Sequence, residues 1–257
     1  MQKDRRDKIE EMIGAKAFVS IRELKELFPD ISEMTLRRDI SYFEEEGKIV
    51  RVRGGFRSRR SLYKIGSTEA HIRDALNIEA KYEISLTAES FLESGTSIFI
   101  DSGSTMRIFA KHIPNLRFSI TTTDPAVALK LSENSLAAVN IVGGRLDFNK
   151  KTVTGLQASG FLSGINIDTA FLSASAFNEA SGFSVAGYNE CELKKIVISK
   201  ARRVIMLIDS SKYGKELPYT FGLIDDADII ITDKNAPTEL TNIAARHGTK
   251  VIIAGRR

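Results

Sequence analysis

Ser32-Glu33-Met34-Thr35-Leu36-Arg37-Arg38-Asp39-Ile40, followed by Ile49-Val50-Arg51-Val52-Arg53-Gly54-Gly55-Phe56, decides the fold of the N-terminal part. Serine is a favoured helix N-cap because its side-chain oxygen accepts a backbone N–H that has no carbonyl partner within the helix. Leu36, Ile40 and Phe43 then recur at helical spacing and give one apolar face, which ends at Gly47. Ile49–Val52 reads as a strand, Arg53-Gly54-Gly55 as a turn and Phe56 as the start of the return strand.

Toward the N-terminus, residues 3–14 form a helical pattern with Ile9, Met12 and Ile13 on one side, closed by Gly14. Ser20-Ile21-Arg22-Glu23 fits a capping box, and Leu24 and Leu27 carry the apolar side of a second helix as far as Pro29. Three short helices and a hairpin predict a winged helix-turn-helix over residues 1–57. The side of the third helix opposite its core residues groups Glu33, Thr35, Arg37 and Arg38 at the N-terminal end. A recognition helix needs that arrangement, because its first turn enters the major groove, where arginine donates two hydrogen bonds to guanine. The groups predicted to contact double-stranded operator DNA are therefore Ser32, Thr35, Arg37 and Arg38 on the helix and Arg51, Arg53, Gly54 and Gly55 on the wing. The bland alternative is an amphipathic helix whose arginines pair with Asp39 or Glu44.

Charge distribution favours the DNA reading. The 257-residue chain has a net charge of only +4, yet Gly47 to Thr68 holds Lys48, Arg51, Arg53, Arg57, Arg59, Arg60 and Lys64 and no acidic residue. Such a stripe suits phosphate backbone, although it also suits a solvated linker. No apolar run approaches the roughly 18 residues of a membrane span, and the charged start Met1-Gln2-Lys3-Asp4-Arg5-Arg6 is unlike a signal segment. The expected location is the cytoplasm, with no membrane partner. Cys191 is the single cysteine, and His71, His112 and His247 are far apart, so neither a disulfide, a structural metal nor a cofactor is expected.

Residues 58–78 are polar and weakly periodic, which predicts a linker, with a possible helix over Ala70 to Asn77. From residue 79 to 257 apolar β-branched runs alternate with helical patterns. The strand candidates are 97–101, 118–122, 139–142, 169–173, 204–209, 229–232 and 251–254, and the helices fall near 80–93, 105–112, 125–133, 189–201 and 237–247. This alternation predicts an α/β domain with a mostly parallel sheet covered on both faces. Ser97–Asp101 runs into Ser102-Gly103-Ser104-Thr105 and then a helix, an arrangement that offers backbone N–H groups and hydroxyls to an anion. Thr121-Thr122-Thr123, Gly143-Gly144-Arg145 and Asp209-Ser210-Ser211-Lys212 also fall at strand ends, where parallel sheets bind ligands.

The first quoted stretch, with Glu46-Gly47-Lys48-Ile49-Val50-Arg51-Val52-Arg53-Gly54-Gly55, resembles the signature of the DeoR family of bacterial sugar-metabolism regulators, S-x-x-T-I-R-R-D-L and G-x-L-x-R-x-H-G-G. Arg53 stands where that family usually has histidine. The resemblance continues through Asp101 to Thr105 (D-S-G-[ST]-T), Gly143-Gly144 with Gly155 (G-G…G) and Asp209 to Gly214 (D-s-S-K-[FY]-G), and Lys81 sits where the family has a lysine opening the domain's first helix. Thr122-Thr123 replaces the family's T-N pair, so an amide toward the effector is missing. The resemblance implies a fold similar to ribose-5-phosphate isomerase, a phosphorylated sugar effector and a homo-oligomer, dimer or tetramer. The expected effector groups are Lys81, Asp101, Ser102, Gly103, Ser104, Thr105, Thr122, Thr123, Gly143, Gly144, Asp209 and Lys212.

The expected function is a transcriptional repressor of a sugar-catabolic operon, released by a phosphorylated sugar and without catalytic activity. One rival is a sugar-phosphate isomerase or deaminase with Asp101 or Asp209 as general base and Lys212 as electrophile, which would not need the first sixty or so residues. The other is a DNA-binding protein whose C-terminal domain only assembles. Glu190, Glu192, Lys194 and Lys195 read as a solvated helix face, Cys191 as an inert helix residue, Phe171, Phe177 and Phe183 as core, and Lys212 competes between a site role and a surface pair with Glu216.

Overall fold

The computed structural model describes residues 2–15, 18–46, 48–52, 55–58, 77–147 and 150–255. Arg53 and Gly54 of the expected wing turn, residues 59–76 of the linker expected over 58–78, and all but Asn77 of the possible helix over 70–77 lie outside the described residues. The chain divides into two compact units, Met1–Glu69 and Ala70–Arg257.

In the first unit Ser20 closes a capping box. Its Oγ accepts the Glu23 N–H at 3.1 Å, and the Glu23 carboxylate accepts the Ser20 N–H at 2.8 Å, so two N–H groups at the start of one helix are satisfied together. The elements are α1 (Gln2–Ala15), β1 (Phe18–Ser20), α2 (Ile21–Leu27), α3 (Glu33–Glu45), β2 (Ile49–Val52) and β3 (Gly55–Ser58). α1 runs through Gly14 to Ala15; a glycine in the last turn costs only about 1 kcal/mol relative to alanine, too little to force the end there. β2 and β3 form the expected hairpin, and β1 adds to β3 as a third antiparallel strand. Ile9, Val19, Leu24, Leu36, Ile40, Phe43, Ile49 and Phe56 form the core, so every element except the turns contributes an apolar residue to one cluster.

The second unit is a seven-stranded parallel sheet. Its elements are α4 (Ile78–Glu89), β4 (Ser97–Ile100), α5 (Ser104–Phe109), β5 (Phe118–Thr122), α6 (Pro125–Leu131), β6 (Ala137–Ile141), β7 (Arg145–Asp147), β8 (Thr152–Thr154), α7 (Leu156–Ser163), β9 (Ile167–Leu172), β10 (Ala176–Asn178), β11 (Gly182–Val185), α8 (Tyr188–Lys200), β12 (Ala201–Leu207), β13 (Tyr219–Gly222), β14 (Ile229–Thr232), α9 (Thr238–Arg246) and β15 (Lys250–Ile253). The large sheet has the order β15-β14-β12-β9-β4-β5-β6. Alternate strand residues face opposite sides. Ile98, Ile100, Phe171, Ile205 and Leu207 pack with Ile84, Met106, Phe109, Val127 and Leu131 of α4, α5 and α6. Phe99, Ala170, Leu172, Val204 and Met206 pack on the other face with Ala158, Leu162, Leu193, Val197, Leu240 and Ala244 of α7, α8 and α9.

The expected strands are the seven of this sheet, each displaced by no more than a few residues at its ends. Phe171, Phe177 and Phe183 are core residues, as expected. The pattern missed α7, whose segment Leu156–Ser163 contains two serines and a glycine and shows only Ala158 and Leu162 to the core. It also missed the hairpin of β7 and β8 and the small antiparallel sheet β10-β11-β13. Strands of three or four residues are too short for a period of two to stand out. No helix among the described residues is long and apolar enough to cross a membrane.

The chain proceeds from β4 outward to β5 and β6, then returns to the other side of β4 and builds β9, β12, β14 and β15 outward. The direction of winding therefore reverses between β4 and β9. In an open α/β sheet the loops leaving two such strands diverge to opposite faces and leave a crevice at their C-terminal ends.

Candidate DNA-binding surface and effector cleft

On α3, Ser32 caps the helix by accepting the Thr35 N–H at 3.2 Å, and the two hydroxyls are 2.9 Å apart. Arg37 and Arg38 are exposed. Arg37 pairs with Glu33 one turn earlier at 2.7 Å, with both side chains more than half exposed. An exposed pair of this kind is worth at most about 1 kcal/mol, so a phosphate or a guanine edge competes for that guanidinium at small cost. Neither arginine pairs with Asp39.

Asp39 is instead buried at 1% exposure and receives Arg5 Nε at 2.6 Å and Arg6 Nε at 2.9 Å, both from α1. The Arg6 guanidinium also lies 3.7 Å from the centre of the Tyr42 ring. The residue after the two exposed arginines thus ties α3 to α1 and fixes the helix that presents them. On the wing, Arg51 pairs with Glu44 of α3 at 2.7 Å and donates to Ser41, joining hairpin to helix. Gly55 lies within β3, in register opposite Val52.

In the second unit the loops leaving β4, β9 and β12 meet. One cleft is lined by Ser102, Gly103, Ser104, Thr105, Arg107, Lys150, Ser173, Ala174, Ser175, Glu190 and Lys212. Ser102 to Thr105 leave β4 at the winding reversal. Gly103 has φ 114°, a conformation that side chains rarely adopt, and it lets the strand turn sharply into α5. Its own N–H donates to Asp124 Oδ2 at 3.2 Å, so this group anchors the loop. The next N–H groups, of Ser104 and Thr105 at the start of α5, have no intrahelical carbonyl to bond. Asp124 is fully buried, caps α6 and also pairs with Arg107 at 2.9 Å, which holds the Arg107 side chain at the cleft wall.

Asp101 and Lys194 form a buried pair beneath the cleft, each 3% exposed. The Asp101 carboxylate also accepts Ser173 N at 2.9 Å and Ser173 Oγ at 3.1 Å, while Lys194 Nζ donates to the Ser173 carbonyl at 2.9 Å. This network ties the ends of β4 and β9 to α8. Glu190, one turn before Lys194, lines the cleft and pairs with Lys150 at 2.7 Å. The reading of Glu190, Glu192, Lys194 and Lys195 as a solvated face is therefore wrong for half of its members. Glu192 and Lys195 do pair with each other in solvent, whereas Glu190 and Lys194 turn inward. Burial pushes the Cys191 thiol up, which leaves it a neutral packing residue in the same helix.

Lys212, in the short turn after β12, lines the cleft and stands 3.9 Å from Asp209. Glu216 instead accepts from Asn178 at 3.1 Å, so the alternative surface pair is not formed. Asp209 is buried and accepts Asn77 Nδ2 at 2.9 Å and Ser211 N at 3.1 Å, so it shapes the turn that carries Lys212. Lys81 is buried but is not among the cleft residues. Thr122 and Thr123 are also buried: the Thr122 hydroxyl accepts Asp124 N at 3.1 Å, and the Thr123 carbonyl accepts Val153 N at 2.7 Å. Gly143 and Gly144 do not line the cleft either. A side chain on Gly144 would stand 2.7 Å from the Thr154 carbonyl, so this glycine serves the close approach of β7 to β8. The sequence pattern does not mark Arg107, Lys150, Ser173, Glu190 or Lys194 as site residues. Ser173 carried a signal, since it ends a predicted strand; the others lie inside a helix or a polar segment, where sequence spacing does not show which way they face.

Residues 76–234 match the DeoR C terminal sensor domain, and residues 5–61 match the DeoR-like helix-turn-helix domain. The chain belongs to the DeoR family. An uncharacterised HTH-type transcriptional regulator of Haemophilus influenzae is 31% identical over 88% of this DeoR-family chain and 87% of its own length. The glycerol-3-phosphate regulon repressor of Escherichia coli is 27% identical over 96% of each chain. Among solved structures, ribose 5-phosphate isomerase A of Methanocaldococcus jannaschii is 18% identical, covering 53% of this chain and 55% of its own, with a TM-score of 0.39. This protein is thus a DeoR-family helix-turn-helix regulator with a C-terminal sensor domain.

Proposed function

We propose that this regulator is a repressor that binds operator DNA through α3 and the wing and leaves it when a phosphorylated sugar occupies the cleft. The observation that carries the reading is that Lys212, from the end of β12, and Ser102–Thr105, from the end of β4, line one cleft. A phosphate dianion suits hydroxyls and helix-start N–H groups, and Lys212 adds a charge-assisted hydrogen bond from a different strand. A relative of nearly equal length that is named for a glycerol-3-phosphate regulon supports the same ligand class. The regulator acts in the cytoplasm as a homo-oligomer, because paired recognition helices match paired operator half-sites.

Sensing is favoured over catalysis by the state of Asp101. A general base needs a lone pair within reach of a substrate proton. The Asp101 carboxylate is buried and already receives Lys194 and two donors from Ser173, and Asp209 is likewise buried. Isothermal titration of the full chain with a panel of sugar phosphates is expected to give saturable heat for at least one of them. No heat from any member would favour a C-terminal domain used only for assembly, and turnover of a bound sugar phosphate would favour the enzyme.

A further inference from the structure

The cleft carries a carboxylate among its cations, and a site built only to hold a phosphate has no use for one. Glu190 borders both the cleft and the small space behind it, which is also lined by Asp101, Ser102 and Lys194. Its Oε2 takes the Lys150 ammonium at 2.7 Å. Its Oε1 stands 4.0 Å from Lys194 Nζ, beyond hydrogen-bond reach, and the Lys194 ammonium is already committed to Asp101 and to the Ser173 carbonyl. Among the described residues no donor reaches Oε1, so a carboxylate that lines the cleft keeps one oxygen without a hydrogen-bond donor. The Glu190 side chain is only 17% exposed, so water screens it weakly.

We propose that Glu190 selects the end of the ligand remote from its phosphate: the effector is a monophosphate whose far end is an uncharged, hydroxylated carbon chain, and sugar-acid phosphates are rejected. This rests on the reading of the cleft as a phosphate site. A ligand hydroxyl donates to Glu190 Oε1 in a charge-assisted bond, whereas a ligand carboxylate at the same place meets a like charge with no uncommitted cation beside it. Lys150 does not change this, since its ammonium is already held by the other oxygen of the same carboxylate, Glu190 Oε2, at 2.7 Å.

The test uses matched pairs in which a terminal alcohol is replaced by a carboxylate: glycerol 3-phosphate with 3-phosphoglycerate, erythritol 4-phosphate with 4-phosphoerythronate, and glucitol 6-phosphate with 6-phosphogluconate, together with inorganic phosphate alone. Each is titrated calorimetrically into the full-length protein at fixed salt. In the best-binding pair the alcohol is expected to bind at least about tenfold more tightly than its acid, and in Glu190→Gln the ratio is expected to fall to about threefold or less. Glu190→Asp retains the charge and is expected to retain the preference, and circular dichroism reports whether either variant is folded. An acid that binds the parent as tightly as its alcohol overturns the proposal without needing any variant. A preference that persists unchanged in folded Glu190→Gln overturns the assignment to this residue. If inorganic phosphate and one member of a pair bind, the phosphate reading stands whatever becomes of Glu190; if no probe binds, that reading fails and this inference fails with it.

Discussion

Arg37 and Arg38 differ from their neighbour Asp39 in burial, and that difference assigns their roles. Two exposed guanidiniums are presented by a helix whose next residue is clamped by Arg5 and Arg6. If they read bases, Arg37→Ala or Arg38→Ala loses about 1–3 kcal/mol at the specific operator, whereas Arg51→Ala weakens all sequences alike and lowers the salt slope by about one. Fluorescence anisotropy on specific and scrambled duplexes at several salt concentrations separates these effects, and unchanged operator affinity in both recognition-helix variants would remove the assignment. In the sensor unit, Lys194 and Asp101 are both desolvated, and removing one partner strands the other. Lys194→Met is expected to cost about 3–5 kcal/mol of stability in urea unfolding, and adding Asp101→Asn to recover much of that loss. A variant as stable as the parent would show that the buried pair does not hold β4, β9 and α8 together. The sequence pattern places Asp101 at a strand end, where the structure has it, but gives Lys194 a solvated face, whereas Lys194 is buried. Helical spacing shows which residues share a face, and a charged residue on the inward face betrays itself only through a partner 93 positions away.

The strands and helices that matter for the site were readable because each carries a long enough apolar pattern. β4, β5, β9, β12 and β14 are buried along most of their lengths, and their β-branched runs are marked off by polar strand ends. α7 and the short hairpins were not readable, since their places are set by close packing such as that of Gly144 against Thr154. Between β4 and β9, the two strands flanking the cleft, the start of the pairing is fixed by a small set of bonds. Ser97 N and Ser97 Oγ each donate to Asp168 Oδ2 at 2.8 Å. The backbone bond first, then the hydroxyl bond and, less strongly, Arg202 hold the Asp168 carboxyl below its ordinary value. A carboxyl whose folded value is depressed contributes stability above its unfolded value, and that contribution is lost as pH falls through the folded one. The urea midpoint of the parent is therefore expected to exceed that of Asp168→Asn at neutral pH, and the gap to close below the ordinary aspartate range. A gap that is independent of pH would show that the carboxylate's charge is not what joins the two strands.

The molecule combines a helix-turn-helix unit with a sensor unit, and its winding reversal places the candidate cleft where β4 and β9 part. Composition and alternation were enough to foresee both units, and the family signature joined them to one function. What the sequence did not show is which loops converge. Lys81, Thr122, Gly143 and Gly144 share the family pattern and Thr123 departs from it, yet all five stand outside the cleft lining, whereas Arg107, Lys150, Ser173 and Glu190 complete it from segments without a motif. Convergence depends on strand order, which a linear pattern does not contain. The claim that links the units is that one ligand held by the β4 loop and by Lys212 controls operator binding, and by linkage operator must oppose that ligand to the same extent. It is tested most directly by titrating the tightest-binding sugar phosphate into a preformed complex of labelled operator with the parent or with Lys212→Met, which keeps the side-chain length and removes the charge. The account predicts equal operator affinity without ligand and release of the variant only at much higher ligand concentration; equal release midpoints for the two proteins would contradict it.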